Sequence, residues 1–110
     1  MTEVRVCDED VALDIVEGPG TARAIVWPGT GAADRAMHRI QLGPGASTVS
    51  LEHPGDAVYA VLGGEGVVGD HALEAGSMVL VDGGTPYRFV AGDAGLDIVG
   101  GPAPVDPALY

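Results

Sequence analysis

Apolar residues in this chain come in short runs with a period of two, each closed by Gly or Pro. Val11, Leu13 and Ile15 alternate with Ala12, Asp14 and Val16, the spacing of a strand with one buried face. Further short runs at residues 21–27, 36–42, 48–52, 57–62, 78–81, 86–90 and 96–99 read as strands, and residues 4–6 as an edge strand set off by Asp8, Glu9 and Asp10. The breakers between them are firm: Glu17-Gly18-Pro19-Gly20, Pro28-Gly29, Gly43-Pro44-Gly45 and the hairpin pair Gly69-Asp70. Gly63-Gly64-Glu65-Gly66 reads as a β-turn, residues 29–35 as a surface loop, and residues 100–110, with three prolines, as an extended arm. In the 36–42 run Met37, Arg39 and Gln41 share one face and His38, Ile40 and Leu42 the other, and the pattern does not decide which points inward. No segment has the 3.6-residue period of an amphipathic helix. The pattern predicts an all-β sandwich or barrel.

Composition narrows this. At 110 residues the chain is one domain by length, and 46% apolar content makes it globular. Aromatics are only 5%, so the core is built mainly from Val, Leu, Ile and Ala. A net charge of -11 with five Lys plus Arg leaves no basic stripe for nucleic acid and disfavours an anionic membrane surface. No apolar run is long enough to span a bilayer, and the acidic start MTEVRVCDED lacks a signal-peptide pattern, so a cytoplasmic location is expected. Cys7, the one cysteine, has no internal disulfide partner. There is no GxSxG elbow, P-loop or dinucleotide fingerprint, and the Gly63–Gly66 cluster is followed by no helix.

Between residues 43 and 91 the chain resembles the cupin superfamily. The first cupin motif runs Gly, five residues, His-x-His, three or four residues, Glu, six residues, Gly; here the register gives Gly45, Leu51, His53, Ala57 and Gly64. The second runs Gly, five residues, Pro-x-Gly, two residues, His, three residues, Asn; here it gives Gly76, Asp82, Gly84, Tyr87 and Ala91. The resemblance implies a cupin-type jelly-roll β-barrel occupying residues 1–110 as a single domain. It also implies a metal site of three His and one Glu, and those positions hold Leu51, His53, Ala57 and Tyr87. One ligand survives where about three are needed. The expectation is a degenerate metal site, with no metal and no cofactor. A site rebuilt from His53, His38 and Asp56 is the weaker alternative.

The same register turns Leu51, His53, Ala57, Tyr59, Val61, Tyr87 and Phe89 inward, joined by His38 or Met37 according to the face of their strand. Arg88 falls on the outer face, and His71, after the hairpin turn, faces solvent. The expected result is a small apolar cavity, the usual make-up of a small-molecule site, with His53, Tyr59 and Tyr87 as candidate catalytic groups. An imidazole and phenols support metal-independent acid–base chemistry on a small carbonyl metabolite: isomerisation, epimerisation, dehydration or cyclisation. A non-catalytic cupin that binds a small ligand, or serves as a subunit of an assembly, is the alternative. Here His53 is a satisfied core histidine and the tyrosines are wall residues. The resemblance further implies a homodimer; the exposed edge at residues 4–6 is expected to pair across the interface, and the C-terminal arm ending in Ala108-Leu109-Tyr110 to pack on a neighbour or cover the barrel mouth.

Overall fold

The computed structural model describes residues 4–32 and 34–110; Met1, Thr2 and Glu3 of the N-terminal stretch and Ala33 of the 29–35 loop lie outside the described residues. In chain order the strands are β1 (Val11–Ala12), β2 (Val16–Glu17), β3 (Gly20–Val26), β4 (Met37–Leu42), β5 (Ser47–Thr48), β6 (Asp56–Val68), β7 (His71–Glu74), β8 (Met78–Val81) and β9 (Phe89–Ala103). Single 3-10 turns occupy Pro28–Thr30 and Pro107–Leu109. Every strand pairing is antiparallel. The long strands β6 and β9 run together from Asp56↔Ala103 to Val68↔Phe89 and form the spine. β7 and β8 lie on the other edge of β6, while β4 and β5 share the other edge of β9. β3 and then β1 extend the sheet beyond β4, and β2 extends it beyond β5. The sheet is thereby curled into a cupin-type β-barrel.

Several elements depart from the sequence reading. Residues 4–6 form no strand, and Val4 and Val6 are 97% and 86% exposed. The 11–16 run is divided: β1 pairs with β3 and β2 with β5, while Leu13 and Ile15 between them are buried. The chain here crosses from one part of the sheet to another, so the alternation holds at Leu13 and Ile15 while Val11, read on the same face, is 38% exposed. The runs at 86–90 and 96–99 belong largely to one strand, β9. Residues 63–66 are not a turn, because β6 passes through them with register shifts between Val61 and Gly63 and between Gly64 and Gly66. The glycines act as bulges that bend a long strand. The C-terminal arm is shorter than read, since β9 continues to Ala103.

Period-two burial sets the interior. On β4, His38, Ile40 and Leu42 are buried and Met37 is 40% exposed, so Met37 lies on the outer face. Ile40 and Leu42 decide this, because they share a face with His38 and their burial outweighs that of one methionine. The largest fully buried side chains are Tyr59, Phe89, Ile40, Ile98 and His38. The outer face carries Val58, Met78 and Leu80, each at least half exposed.

Gly64 tests the bulge. Its φ is +78°, and an added Cβ would lie 2.1 Å from the Gly95 carbonyl oxygen. Gly64→Ala is therefore expected to cost at least about 2 kcal/mol in urea unfolding. Gly69 has φ +57° but open space around it, and Gly69→Asn is expected to cost under about 1 kcal/mol.

Candidate active site

Four side chains form one hydrogen-bonded line through the barrel. Asp106 Oδ2 lies 2.7 Å from His53 Nδ1, His53 Nε2 lies 2.6 Å from the Tyr87 hydroxyl, and that hydroxyl lies 2.6 Å from the Tyr59 hydroxyl. All four residues are buried. Tyr59 sits near the start of β6, pinned by pairing to Val79 on one side and Gly100 on the other. Gly100 permits the close approach, since a Cβ there would meet Val58 O at 2.0 Å. Tyr87 and Leu51 bond each other's backbone just before β9, and His53 follows two residues on from Leu51. Phe89 packs edge-on against Tyr59 and Tyr87, at ring-centroid distances of 4.9 and 5.8 Å.

Asp106 arrives from the arm that follows β9. Its other carboxylate oxygen accepts the Ala108 amide at 3.0 Å, capping the 3-10 turn Pro107–Leu109. One turn further, the Tyr110 hydroxyl meets His38 Nε2 at 2.5 Å, and its ring packs on Trp27 at 5.2 Å. The arm thus closes the barrel through a carboxylate on one histidine and a phenol on the other.

The donors follow from the carboxylate. An ionised Asp106 only accepts, so His53 donates through Nδ1–H. In the neutral imidazole Nε2 then accepts from Tyr87, whose single proton is committed, so Tyr59 donates to Tyr87. Burial pushes the Tyr59 phenol up to about 12. Tyr87 is also raised, chiefly by burial and further by neighbouring Tyr59 and Asp106. Both phenols hold their protons at neutral pH. His38 is pushed down to about 4, first by burial and then by His53, and Tyr110 up to about 12 by burial and by Asp106.

The structure brings His53, Tyr59 and Tyr87 into contact, with His38 beside them. Leu51, Ala57, Val61 and Phe89, expected to line an open cavity, are packed as core. An opening lies to one side: a cavity of about 570 Å³ whose walls include Val67, Val79, Val81, Val90 and Tyr87. Tyr87 alone joins it to the buried line. His71 and Arg88, read as surface residues, stand in the cavity's lining. Asp106 was missed altogether, because nothing in a proline-rich tail marks one carboxylate as buried.

A cupin metal does not fit these residues. Both ring nitrogens of His53 are engaged by Asp106 and Tyr87, and His38 Nε2 by Tyr110. Asp56 turns away to accept the Gly83 amide at 2.9 Å, so the rebuilt set of His53, His38 and Asp56 does not assemble. Among the described residues no three His, Cys, Asp or Glu converge on a metal position. Nor, among them, is any helix long and apolar enough to cross a membrane.

Comparison of the fold with solved structures places it. An RmlC-like cupin from Shewanella frigidimarina NCIMB 400 matches with a TM-score of 0.76 at 18% identity, over 100% of this chain and 97% of that one. The polyketide cyclase RemF from Streptomyces resistomycificus matches at 0.70 and 18% identity, over 96% of this chain and 81% of that one. KdgF from Halomonas sp. matches at 0.72 and 16% identity, over 89% and 90% of the respective chains. The protein has the fold of the cupin superfamily. No protein-family model and no curated protein matches the sequence.

His38 makes the fold sensitive to acid. Its folded value of about 4 lies below the ordinary 6.5, so between these the unfolded chain binds a proton that the folded chain does not. Its contribution is whole above pH 6.5 and falls as pH drops toward 4. By pH 5 the loss is about 2 kcal/mol. Tyr110 and His53 are the titratable groups facing it. Urea unfolding at pH 7.5 and 5.0 is expected to show a fall about 2 kcal/mol larger in the native protein than in His38→Gln.

Proposed function

We propose that the protein binds a small carbonyl metabolite and moves a proton on it without a metal, as an isomerase, epimerase, dehydratase or cyclase. The observation that carries this is the buried line Asp106–His53–Tyr87–Tyr59, which meets a cavity only at Tyr87. In this reading Tyr87 is the group on the substrate side: it passes its phenolic proton to His53 Nε2, and its oxygen takes the proton from the carbon next to the carbonyl. His53 accepts and returns that proton behind Tyr87. Asp106 is a positioning residue that keeps the acceptor nitrogen of His53 turned toward Tyr87, and Tyr59 supplies a hydrogen bond as charge builds on the Tyr87 oxygen. The cavity volume of about 570 Å³ suits a small metabolite.

A second reading is a binding protein without turnover. Its support is that every polar group of the line is satisfied internally, as in a structural network. Hydrogen–deuterium exchange separates the two. A panel of small oxo compounds incubated with the protein in D₂O and EDTA is followed by proton NMR for loss of the signals next to the carbonyl. The acid–base reading expects exchange on at least one compound, about 100-fold slower in Tyr87→Phe and in His53→Gln, with both variants folded by circular dichroism. Asp106→Asn, which disturbs the imidazole's orientation, is expected to slow it about 10-fold or more. Exchange unchanged in the two variants, or ligand-dependent stabilisation without exchange, sinks the enzyme reading in favour of the binding one.

We also infer a homodimer through the outer face of β6 and β8, where Val58 pairs with Leu80 and Ala60 with Met78 in adjacent rows. Val58, Leu80 and Met78 are 50%, 66% and 70% exposed there, an apolar surface that a second copy would cover. Sedimentation is expected to give a dimer that Val58→Glu converts to a monomer; a native monomer overturns it.

A further inference from the structure

The cavity beside the buried line has a chemistry of its own. Its floor is valine: Val67 and Val90 face each other across β6 and β9, and Val79 and Val81 approach from β8. Arg88, His71, Ser50 and Thr85 bring polar groups to its lining. Asp82 is the one carboxylate among the lining residues. In a chain with five Lys plus Arg against 16 Asp plus Glu, a guanidinium at the edge of an apolar hollow is a local exception to the field of the molecule.

Arg88 is also loosely held. Its nearest acid is Glu17 Oε1 at 3.6 Å, with both side chains about half exposed, beyond hydrogen-bond length. Arg39 is fixed in a fork on Asp97 with both contacts at 2.7 Å, and Arg23 is on Asp10 at 2.9 Å. A loosely held guanidinium can turn to a ligand carboxylate without first breaking a strong bond, and its planar fork matches that group. An exposed pair of this kind contributes little to stability.

From this geometry we propose that the cavity is a seat for a small carboxylic acid with an apolar body, its carboxylate on Arg88 and its body on the valine floor against Tyr87. His71, Ser50 and Thr85 supply further donors in the lining. The proposal deepens the acid–base reading and rests on it for the place of the reacting carbonyl, which lies at the Tyr87 end of the bound molecule. It narrows the substrate class to an acid that also carries a carbonyl.

Benzoate and its neutral counterpart benzamide are the probes, titrated into the full-length protein and followed by amide NMR shifts. Shifts are expected in residues 67–71, 79–82 and 85–90, with benzoate binding at least 10-fold more tightly than benzamide. Arg88→Gln is expected to bring benzoate down to the benzamide level while leaving benzamide unchanged. Arg88 is half exposed, so the variant keeps its fold, and the benzamide titration verifies that the cavity is intact. Equal binding of the two probes, shifts centred elsewhere, or benzoate binding unaltered in Arg88→Gln overturns the proposal. The titration involves no turnover, so its outcome is independent of the exchange experiment. Benzoate bound at Arg88 with exchange unaltered in Tyr87→Phe leaves the seat standing and removes the reaction. Exchange lost in Tyr87→Phe with no preference for benzoate removes the seat and leaves the reaction.

Discussion

The contact between His53 and Asp106 is the constraint on which the rest of the interior depends. A carboxylate in a barrel of Val, Ile and Phe is costly unless each of its oxygens finds a donor. Here one oxygen takes the imidazole at 2.7 Å and the other the Ala108 amide at 3.0 Å. For a neutral imidazole the first of these fixes the tautomer of His53 and hence the direction of the hydrogen bonds that follow through Tyr87 to Tyr59. The second shapes the 3-10 turn that delivers Tyr110 to His38. Without the arm, His53 Nδ1 and His38 Nε2 would both be left without their partners. The arm and the barrel therefore form one cooperative unit, closed at its end by polar contacts.

A scarce resource is concentrated at this point. The chain has three Tyr, one Trp and one Phe. Tyr59, Tyr87 and Phe89 form a cluster of ring contacts with His53, while Trp27 and Tyr110 stack beside His38. Every aromatic residue is thus placed around the two buried imidazoles, and the remaining core is aliphatic. That distribution follows from size. A barrel with small residues such as Ala24, Ala57 and Ala91 on its inner surface leaves volume at its centre, and rings fill it with few side chains. The rings also carry the hydroxyls that satisfy the imidazoles, so packing and polar satisfaction are met by the same groups.

The alternation of apolar and polar residues made the barrel legible, and the motif glycines set its register. Both are local signals. Gly64, in register with the cupin motif, marks a position of positive φ whether the chain turns or bulges there, and only the presence of β9 alongside decides for a bulge. For the same reason residues 86–90 and 96–99 looked like separate strands: the glycines between them break a local pattern without breaking the ladder. His53, Tyr59 and Tyr87 were legible as a group because parity puts them on one face. Asp106 was not, since it lies 53 residues from its partner in a segment with no periodicity, and one acid among 16 has no distinguishing mark. The cavity was misplaced because parity tells which side chains point inward and not which of them touch. Leu51 and Ala57 do point inward, and both are packed in the core.

The two halves of the proposed site ask for opposite surroundings, and Tyr87 is what keeps them apart. A proton line through imidazole and phenols works best away from water, where no solvent competes for its hydrogen bonds and burial holds the phenol protons in place. A seat for an acid needs an opening through which a hydrated carboxylate arrives and a cation that is free to meet it. Placing both in one hollow would wet the line or bury the cation. In this barrel the ring of Tyr87 forms part of the cavity wall while its hydroxyl is held between His53 and Tyr59. Tyr87 thus stands between a buried polar line and an open groove.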